Sequence, residues 1–287
     1  MALLPPFFLD TVVAIGIGDD PSKRQWIGTG FLFGEIVDDN PEIKDKRYKL
    51  WLITNKHVLV GLKDIYIKVN ATQGTNSKDY KVHLAFNNGR SRWVGHSNED
   101  TDVAALSINP TFLDKEGRKY SFFRSDIDTF NKEKMIEAGI SEGDRIFVLG
   151  FPLGLVDTEQ QYVICRGGNI ARIRDHLDNR TNVFLIDAPV FPGNSGGPVI
   201  LCPSALAIQG TKSINQSALL GIVKAYVPYN DLAFSKQTNR PRIIFEENSG
   251  LAAVESTDSI LETVDRASRL IKRRMSTGKN RSKNKQR

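Results

Sequence analysis

The sequence has 287 residues, of which 40% are hydrophobic and 25% charged, a composition typical of globular proteins with one large or two modest domains. No apolar run approaches the ~18 residues that a membrane span requires. The formal net charge of +6 is misleading. Residues 266–287 hold ten Lys or Arg and no acid, so residues 1–265, with 29 basic and 33 acidic residues, carry a net charge of −4. Weak contact with nucleic acid or an anionic surface would therefore involve residues 266–287 and not the folded body.

The N-terminal residues and the cysteines bear on location. Residues 1–10 lack a basic leader and reach an acid early, at Asp10, so they do not resemble a secretory signal. The two cysteines, Cys165 and Cys202, adjoin apolar runs typical of strands. This pattern favours two buried free thiols in a reducing compartment, with a disulfide between them as the alternative. The predicted location is cytoplasmic.

The first half of the chain predicts a series of short strands. Segments rich in β-branched and aromatic residues alternate with turn signals. They cover residues 11–18, 28–33, 50–54, 65–69, 82–86 and 102–108. Many short strands separated by turns indicate an antiparallel barrel or sandwich. Residues 120–142 are more polar and partly helical, which predicts a connection between two halves.

Strand patterns resume in the second half. They cover residues 145–149, 162–166, 169–173, 183–186, 199–201 and 219–226. Because each half offers a comparable number of strands, two β-barrels side by side are the economical packing. The predicted fold class is all-β, with an N-terminal barrel at residues 1–119, an inter-barrel connection at 120–143 and a C-terminal barrel at 144–256.

The end of the chain changes character once more. Ser259 and Glu262 have the spacing of a helix capping box. Apolar residues then recur at helical spacing, at Ile260, Leu261, Val264, Ala267, Leu270 and Ile271. We expect an amphipathic helix at residues 257–275 that packs on the barrels. Residues 276–287 are polar and basic with nothing to bury, which predicts a disordered basic tail.

The most informative stretch is residues 191–198, Phe-Pro-Gly-Asn-Ser-Gly-Gly-Pro. Three glycines in five residues indicate a backbone held where side chains would clash, or where amides must stay open to a ligand. Ser195 lies in the middle of this turn, and apolar runs flank it on both sides. The pattern predicts a tight turn between two strands that presents one hydroxyl.

A serine hydroxyl needs a base to take its proton, and the base must be held in the correct tautomer. Of the four histidines, His57 follows a buried strand, where a fold can aim a side chain into a cleft. His83, His96 and His176 lie in a strand or in polar loops and suit surface or structural roles. Asp102 opens a strongly apolar strand, so its carboxylate needs a partner, and the Nδ1–H of His57 would supply one.

Four motifs in this order resemble those of chymotrypsin-fold, trypsin-like serine peptidases. They are Gly28-Thr29-Gly30-Phe31, Thr54-Asn55-Lys56-His57-Val58, Asp102-Val103-Ala104-Ala105-Leu106 and Gly193-Asn194-Ser195-Gly196-Gly197-Pro198. Residues 149–154 and 187–192 are similar to the bacterial HtrA/Deg-type branch in particular. The resemblance covers roughly residues 10–255.

This resemblance implies a double six-stranded barrel with an active site between its halves. It implies His57 as general base, Asp102 as its orienting acid and Ser195 as nucleophile, with Asp100 as the alternative acid. The backbone amides of Gly193 and Ser195 would form the oxyanion hole, worth about 10²–10³ in rate per donor. No metal site and no cofactor are expected.

The sequence departs from the resembled family at two places. Relatives activated by cleavage pair a new N-terminus with an acid just before the serine, whereas this chain has Asn194 there. We therefore expect no such activation step. Proteins of the HtrA type also usually carry a C-terminal PDZ domain, and we expect none here, because the residues after 255 predict only a helix and a tail.

Substrate preference is predicted from the residues before the serine. Tryptic relatives place an acid six residues earlier, and this position is Pro189, followed by Val190 and Phe191. An apolar pocket should prefer Val, Ala or Leu over Lys or Arg on the acyl side of the cut. The strand with Val223, Lys224, Ala225 and Tyr226 should bind substrate backbone, although Lys224 and Tyr226 equally suit a plain strand surface.

Two other functions stay open from the sequence. One is a barrel scaffold that binds peptides without cleaving them. The other is nucleic-acid association through residues 266–287, which would give salt-sensitive, sequence-independent phosphate binding. This tail lacks interleaved aromatic residues for base stacking, so a solubilising or docking role is favoured. The expected partner is a protein or peptide substrate.

Overall fold

The computed structural model describes residues 3–38, 46–74, 76–205 and 207–283, with side chains as far as Arg274. In its first half the described chain alternates short strands with short helices. The elements are β1 (Val12–Ile17), β2 (Gln25–Ile36), β3 (Tyr48–Thr54), α1 (Lys56–Leu59), β4 (Asp64–Val69), β5 (Lys78–His83), β6 (Trp93–Gly95), β7 (Ala104–Ile108), α2 (Thr111–Lys115), β8 (Phe123–Arg124) and α3 (Lys132–Ala138).

The first sheet is antiparallel along the path β5-β4-β1-β2-β3-β7-β6. Its longest strand, β2, changes partner along its length: Gln25 to Phe31 pair with β1, and Phe31 to Ile36 pair with β3. The two-residue strand β8 adds to β2 in parallel orientation. A strand that serves two neighbours in succession bends the sheet, as barrel closure requires.

The first sheet nevertheless differs from the predicted six-stranded barrel, because no ladder joins its edges β5 and β6 in the described structure. The two edges meet through the tight turn between them, where the Arg92 amide donates to the Leu84 carbonyl at 2.9 Å and Ala85 bridges Ser91. With only three residues, β6 is too short to pair fully on both sides. The result is a half-barrel of seven strands with β8 attached.

The second half forms the closed six-stranded barrel that the sequence predicts, in the order β10-β11-β14-β13-β12-β9. Each neighbouring pair is antiparallel. The elements are β9 (Arg145–Gly150), β10 (Ile164–Arg172), α4 (Arg174–Leu177), β11 (Val183–Asp187), β12 (Pro198–Leu201), β13 (Leu219–Phe234), β14 (Pro241–Ser256) and α5 (Thr257–Lys283).

The outer parts of β13 and β14 form a two-stranded arm that the sequence analysis did not predict. The two strands pair as far as Phe234 and Pro241, whereas β14 pairs with β11 only at residues 251–255. The arm exposes large apolar side chains, including Tyr229, Leu232 and Ile244. The predicted strand 219–226 is thus only the barrel-bound part of a longer hairpin.

Alternation along β2 and β3 explains how the two halves adhere. Phe31 and Phe33 point into a cluster that spans both halves, whereas Leu32 points into the core of the first sheet. Leu149 and Ile222 join the same cluster from the second barrel. Each such apolar side chain contributes about 1.5–3 kcal/mol on burial, so the two halves pack as one body.

Helix α5 completes the spanning cluster, and it extends further along the chain than predicted. It begins at Thr257, directly after β14, and the capping-box interpretation is wrong because Glu262 bonds the ring of His96 at 2.7 Å instead of reaching Ser259. Ile260 and Val264 are buried against both halves. The helix continues to Lys283, so residues 276–283 do not show the predicted disorder; adding a turn to an existing helix is inexpensive. Residues 284–287 of the predicted tail lie outside the described residues.

Two further sequence predictions can be placed. Cys165 and Cys202 are free thiols, and Cys202 is buried as expected while Cys165 is exposed. In the described chain, no helix is both long enough and apolar enough to cross a membrane.

Candidate active site

His57 is carried by α1, a single helical turn at the end of β3. Val58 and Leu59 anchor this turn in the core, while the ring of His57 stays half exposed. The preceding residue, Asn55, is fully buried, and its Nδ2 donates to the Asp102 carbonyl at 2.7 Å. The helix is thereby fixed to the segment that leads into β7.

The Asp102 carboxylate receives two hydrogen bonds from His57. The backbone amide donates to Oδ1 at 3.1 Å, and ring Nδ1 lies 2.5 Å from Oδ2. Burial raises the pKa of the Asp102 carboxyl, but the His57 bonds outweigh it and hold that pKa below the usual value. An ionised carboxylate facing Nδ1 favours the tautomer with its proton there, which leaves Nε2 free to accept one.

Asp100, the alternative acid, has a different place. Its side chain is exposed, its amide donates to Asn98, and its carbonyl accepts from Lys224 Nζ at 2.8 Å. Within the described residues it makes no hydrogen bond with His57. The structure therefore brings Asp102, and not Asp100, to the ring of His57.

The serine turn lies between β11 and β12 and is held by backbone hydrogen bonds. The Gly196 amide donates to the Val223 carbonyl at 3.0 Å, and the Val223 amide donates to the Gly197 carbonyl at 2.9 Å. The Ser195 hydroxyl donates to the Lys224 carbonyl at 3.3 Å, and in the described structure no hydrogen bond joins it to His57. The turn is thus tied to β13 on one side.

Glycines let the serine turn press against the first half of the molecule. A Cβ on Gly28 would lie 3.0 Å from Val58 Cγ1 and 3.4 Å from the Ser195 carbonyl oxygen, so α1 and the serine turn flank this residue. A Cβ on Gly196 would lie 1.9 Å from the carbonyl oxygen of Thr29. The Thr29 amide in turn donates to the Ser195 carbonyl at 2.9 Å.

Two amides beside Ser195 point away from the protein's own acceptors. The Pro192 carbonyl accepts from Leu153 at 2.6 Å, and the Asn194 carbonyl accepts from Gly197 at 2.8 Å. Because C=O and N–H point in opposite directions across a trans peptide, the amides of Gly193 and Ser195 face the other way. Neither donates to an acceptor within the described residues, so both are available to an anionic oxygen.

A family model of the trypsin-like peptidase domain matches residues 28–204, more than half of the sequence. The chain belongs to the trypsin-like peptidase family. The matched region includes His57, Asp102 and Ser195, and it ends before β13.

Similar solved structures include the apo protease domain of MamO from Magnetospirillum magneticum, with 15% identity and a TM-score of 0.48 over 90% of this chain and 97% of that one. Another is an inactive serine-to-alanine mutant of Rv3671c from M. tuberculosis H37Rv, with 15% identity and a TM-score of 0.42 over 91% of this chain and 88% of that one.

Thr29, which the sequence analysis named only as part of a motif and gave no role, joins the two halves in this member of the trypsin-like peptidase family. Its buried hydroxyl donates to the Gly193 carbonyl at 2.6 Å and accepts from the Phe151 amide at 3.1 Å. One side chain of the first half thus fixes the backbone around Gly193 in the second. The available signal was a lone polar residue between two glycines in an apolar strand.

Asn194 is also held within the serine turn of this trypsin-like peptidase. Its side chain is 1% exposed, and Oδ1 accepts from the Phe191 amide at 3.1 Å. Nδ2 has no partner among the described residues. The side chain therefore braces the turn from inside.

The predicted pocket residues fall into two groups. Val190 and Val223 are buried in the second barrel's core, so their side chains pack inward. Pro189, Phe191, Lys224, Ala225 and Tyr226 remain at least partly accessible. Arg166, which the sequence analysis missed, donates to the Pro189 carbonyl at 3.2 Å and lies 5.0 Å from the ring of Phe191.

None of the other three histidines hydrogen-bonds Ser195 within the described residues. His83 Nδ1 is 2.5 Å from Asp64 on the surface, and His96 Nε2 is 2.7 Å from Glu262 on α5. His176 is fully buried, and burial lowers the pKa of its ring. Among the described residues, no group of three or more His, Cys, Asp or Glu could hold a metal ion.

Proposed function

We propose that this chain is a serine endopeptidase in which Ser195 is the nucleophile, His57 the general base and Asp102 the acid that orients it. The observation that carries the proposal is the pair of hydrogen bonds that the Asp102 carboxylate accepts from the backbone amide and the ring of His57. The proposal is also supported by Gly28, where a Cβ would lie near both Val58, on the helix that carries this ring, and the Ser195 carbonyl oxygen in the glycine turn. Membership of the trypsin-like peptidase family supports the same assignment.

The proposed reaction proceeds through an acyl-enzyme. The Ser195 hydroxyl exchanges the Lys224 carbonyl for His57 Nε2 by rotation of its side chain, and its oxygen bonds the substrate carbonyl carbon as the proton passes to Nε2. The substrate oxygen becomes an anion between the amides of Gly193 and Ser195. His57 then gives the proton to the leaving amine as the peptide C–N bond breaks, and water completes the cycle by the same steps.

Substrate backbone is proposed to bind along β13. This strand pairs with β12 only as far as Ile222, so the edge of Lys224, Ala225 and Tyr226 is not covered by that neighbour. An extended peptide could add to such an edge as a further strand. The Lys224 carbonyl, which now accepts from Ser195, would lie close to the residue being cleaved.

On the acyl side of the cut we propose a preference for Val, Ala or Leu over Lys or Arg. No acid occupies position 189, and the nearby guanidinium of Arg166 would repel a basic side chain. A peptide library digested by the purified protein checks this by mass spectrometry of the new C-termini. Cleavage mainly after Lys or Arg would contradict it.

The central test is reaction with a fluorophosphonate probe. We expect the wild-type protein to be modified on Ser195, identified by peptide mass spectrometry, and Ser195→Ala to stay unmodified. His57→Gln should reduce the labelling rate by about 10³-fold or more, since it removes the base. An unlabelled, folded wild type that still binds peptides would favour the alternative of a silent binding scaffold.

Partners and location complete the proposal. Protein or peptide substrates follow from the proposed activity, and a cytoplasmic location follows from the cysteine content. Contact of residues 266–287 with nucleic acid is supported only by their charge, so a docking or solubilising role is preferred.

A further inference from the structure

A buried ion pair stands directly behind the proposed catalytic acid. Glu255, on β14, is fully buried, and its Oε1 accepts from the Asp102 amide at 2.9 Å and from Lys224 Nζ at 3.0 Å. Its second oxygen, Oε2, is buried without a partner among the described residues. A carboxylate of the second barrel thus touches the backbone of a residue from the first half.

Lys224 extends this contact to the segment before Asp102. Its Nζ donates to the Asp100 carbonyl at 2.8 Å as well as to Glu255, while its own carbonyl accepts from Ser195. A single residue of β13 therefore contacts both the acid's segment and the nucleophile. Its side chain is about one-third exposed, in contrast to the enclosed Glu255.

Burial of a carboxylate costs free energy, and one partly exposed ammonium offsets this cost only in part. An apolar pair in the same place would often be at least as stable. The position therefore calls for a role besides packing. We propose that Glu255 and Lys224 are positioning residues for Asp102. They hold the Asp102 backbone against β13, the strand proposed to bind substrate, and their charges influence how readily the His57 imidazole is protonated. This inference rests on the proposed function, because it assigns the pair to the same reaction.

Several other charged residues lie near His57 and Asp102. Lys56 on α1 donates its Nζ to the carbonyls of Asn98 and Glu99. Glu99 and Asp100 are exposed, so water screens their carboxylates. Glu255 is the enclosed charge nearest the Asp102 backbone in the described structure, and its field is screened least.

The decisive variant is Glu255→Gln, which keeps an oxygen for the Asp102 amide but removes the charge. We expect the midpoint of the acid limb of kcat/KM to fall by about 0.5 pH units or more, because an imidazolium is less stable once the negative charge is lost. The double variant Glu255→Gln with Lys224→Met removes both charges and should bring the midpoint back toward wild type. Glu247→Gln, the same change at an exposed site of β14, should leave it in place.

A direct measurement separates this inference from the proposed function. The ring-proton signal of His57, assigned by its loss in His57→Gln, is titrated by NMR in wild type and variants, whether or not the protein cleaves peptides. Failure of the wild type to react with the fluorophosphonate would reject the peptidase. An NMR midpoint that is the same in Glu255→Gln and wild type would reject the charge role of the pair.

A second pair of variants applies if Glu255→Gln does not fold. Lys224→Met should lower kcat severalfold with a smaller change in KM, and Lys224→Arg should recover most of it, since Arg can also donate to Glu255 and to the Asp100 carbonyl. If Lys224→Arg and Lys224→Met have the same kcat, the positioning role is rejected.

Discussion

The two halves of the molecule would contribute different kinds of chemical group to the proposed active site. The first, an incompletely closed sheet, supplies side chains at strand ends, His57 and Asp102, which side-chain hydrogen bonds hold in place. The second, a closed barrel, supplies backbone: a turn of glycines with two outward amides, fixed by backbone hydrogen bonds around Ser195. Activity should therefore fall when polar side chains of the first half are removed, and when a glycine in the turn of the second half gains a Cβ.

The largest effect is expected where the second half meets the first without space for a side chain. In Gly196→Ala, the new Cβ would lie 1.9 Å from the Thr29 carbonyl oxygen and 2.4 Å from Thr54 Oγ1, at a φ of +87°. Either the serine turn or strand β2, which carries Thr29, must shift to make room. We therefore expect loss of probe labelling and a strongly reduced melting temperature. Both are measured on purified protein by mass spectrometry and thermal unfolding.

Gly210→Ala is a matched control for this change. Its φ of +85° is nearly the same, but no atom lies within 4 Å of the new Cβ. It should cost only the backbone strain of about 1–3 kcal/mol and keep its labelling. Equal losses of labelling in the two variants would contradict the crowding argument.

A smaller effect is expected where a side chain of the first half holds backbone of the second. Thr29→Val keeps the shape of the side chain but leaves the Gly193 carbonyl and the Phe151 amide without their hydroxyl partner. We expect kcat to fall roughly 10-fold to 100-fold, because the oxyanion amides lose their alignment. Stability should fall by about 1–3 kcal/mol for the unpaired groups, measured by denaturant unfolding.

The control for Thr29→Val is Thr11→Val. Thr11 is also fully buried, and its hydroxyl donates to the Phe8 carbonyl at 2.7 Å, away from the proposed site. The stability loss should be comparable, while kcat should stay close to wild type. A Thr29→Val enzyme with normal kcat would show that the oxyanion segment does not need this brace.

A third prediction tests a polar support within the first half. Asn55→Ala removes the Nδ2 bond to the Asp102 carbonyl, which steadies the segment carrying the acid. His57 still bonds the carboxylate directly, so we expect a fall in kcat of only about 3-fold to 10-fold, the value of one net hydrogen bond. Steady-state kinetics on a peptide substrate measures it, and a loss as large as that of His57→Gln would mean that Asn55 takes part more directly.

This contrast between the halves also explains what could be predicted from the sequence. The turn around Ser195 and the strands of both halves are local patterns, of three glycines in five residues and of apolar runs between turn signals. The closed second barrel follows from such patterns. The opening of the first does not, because it depends on the three-residue length of β6 and on how its edge meets β5.

The supports of the site could not be predicted because they join residues far apart in sequence. Thr29 reaches Gly193, and Glu255 reaches Asp102, through contacts that no local pattern encodes. Helix α5 was predicted from its periodicity and begins at Thr257 as expected, but its Glu262 has a tertiary partner, His96, in place of a capping role. Local patterns thus predicted the candidate catalytic residues, whereas tertiary contacts determine how those residues are held.

The smallest effect on the proposed activity is expected at Glu142, a carboxylate just before β9 that accepts hydrogen bonds from two backbone amides. Burial raises the pKa of Glu142, but the amides of Ile173 and Arg174 outweigh it and lower that pKa to about 2. As the pH falls, Glu142 therefore becomes protonated near pH 4.5 in the unfolded chain but only near pH 2 in the folded chain. The stabilisation is complete above the unfolded pKa and disappears as the pH falls through this window. Melting curves should show wild type more stable than Glu142→Gln at pH 6, with the difference closing toward pH 2; a difference independent of pH would mean that shape, and not charge, makes the contact.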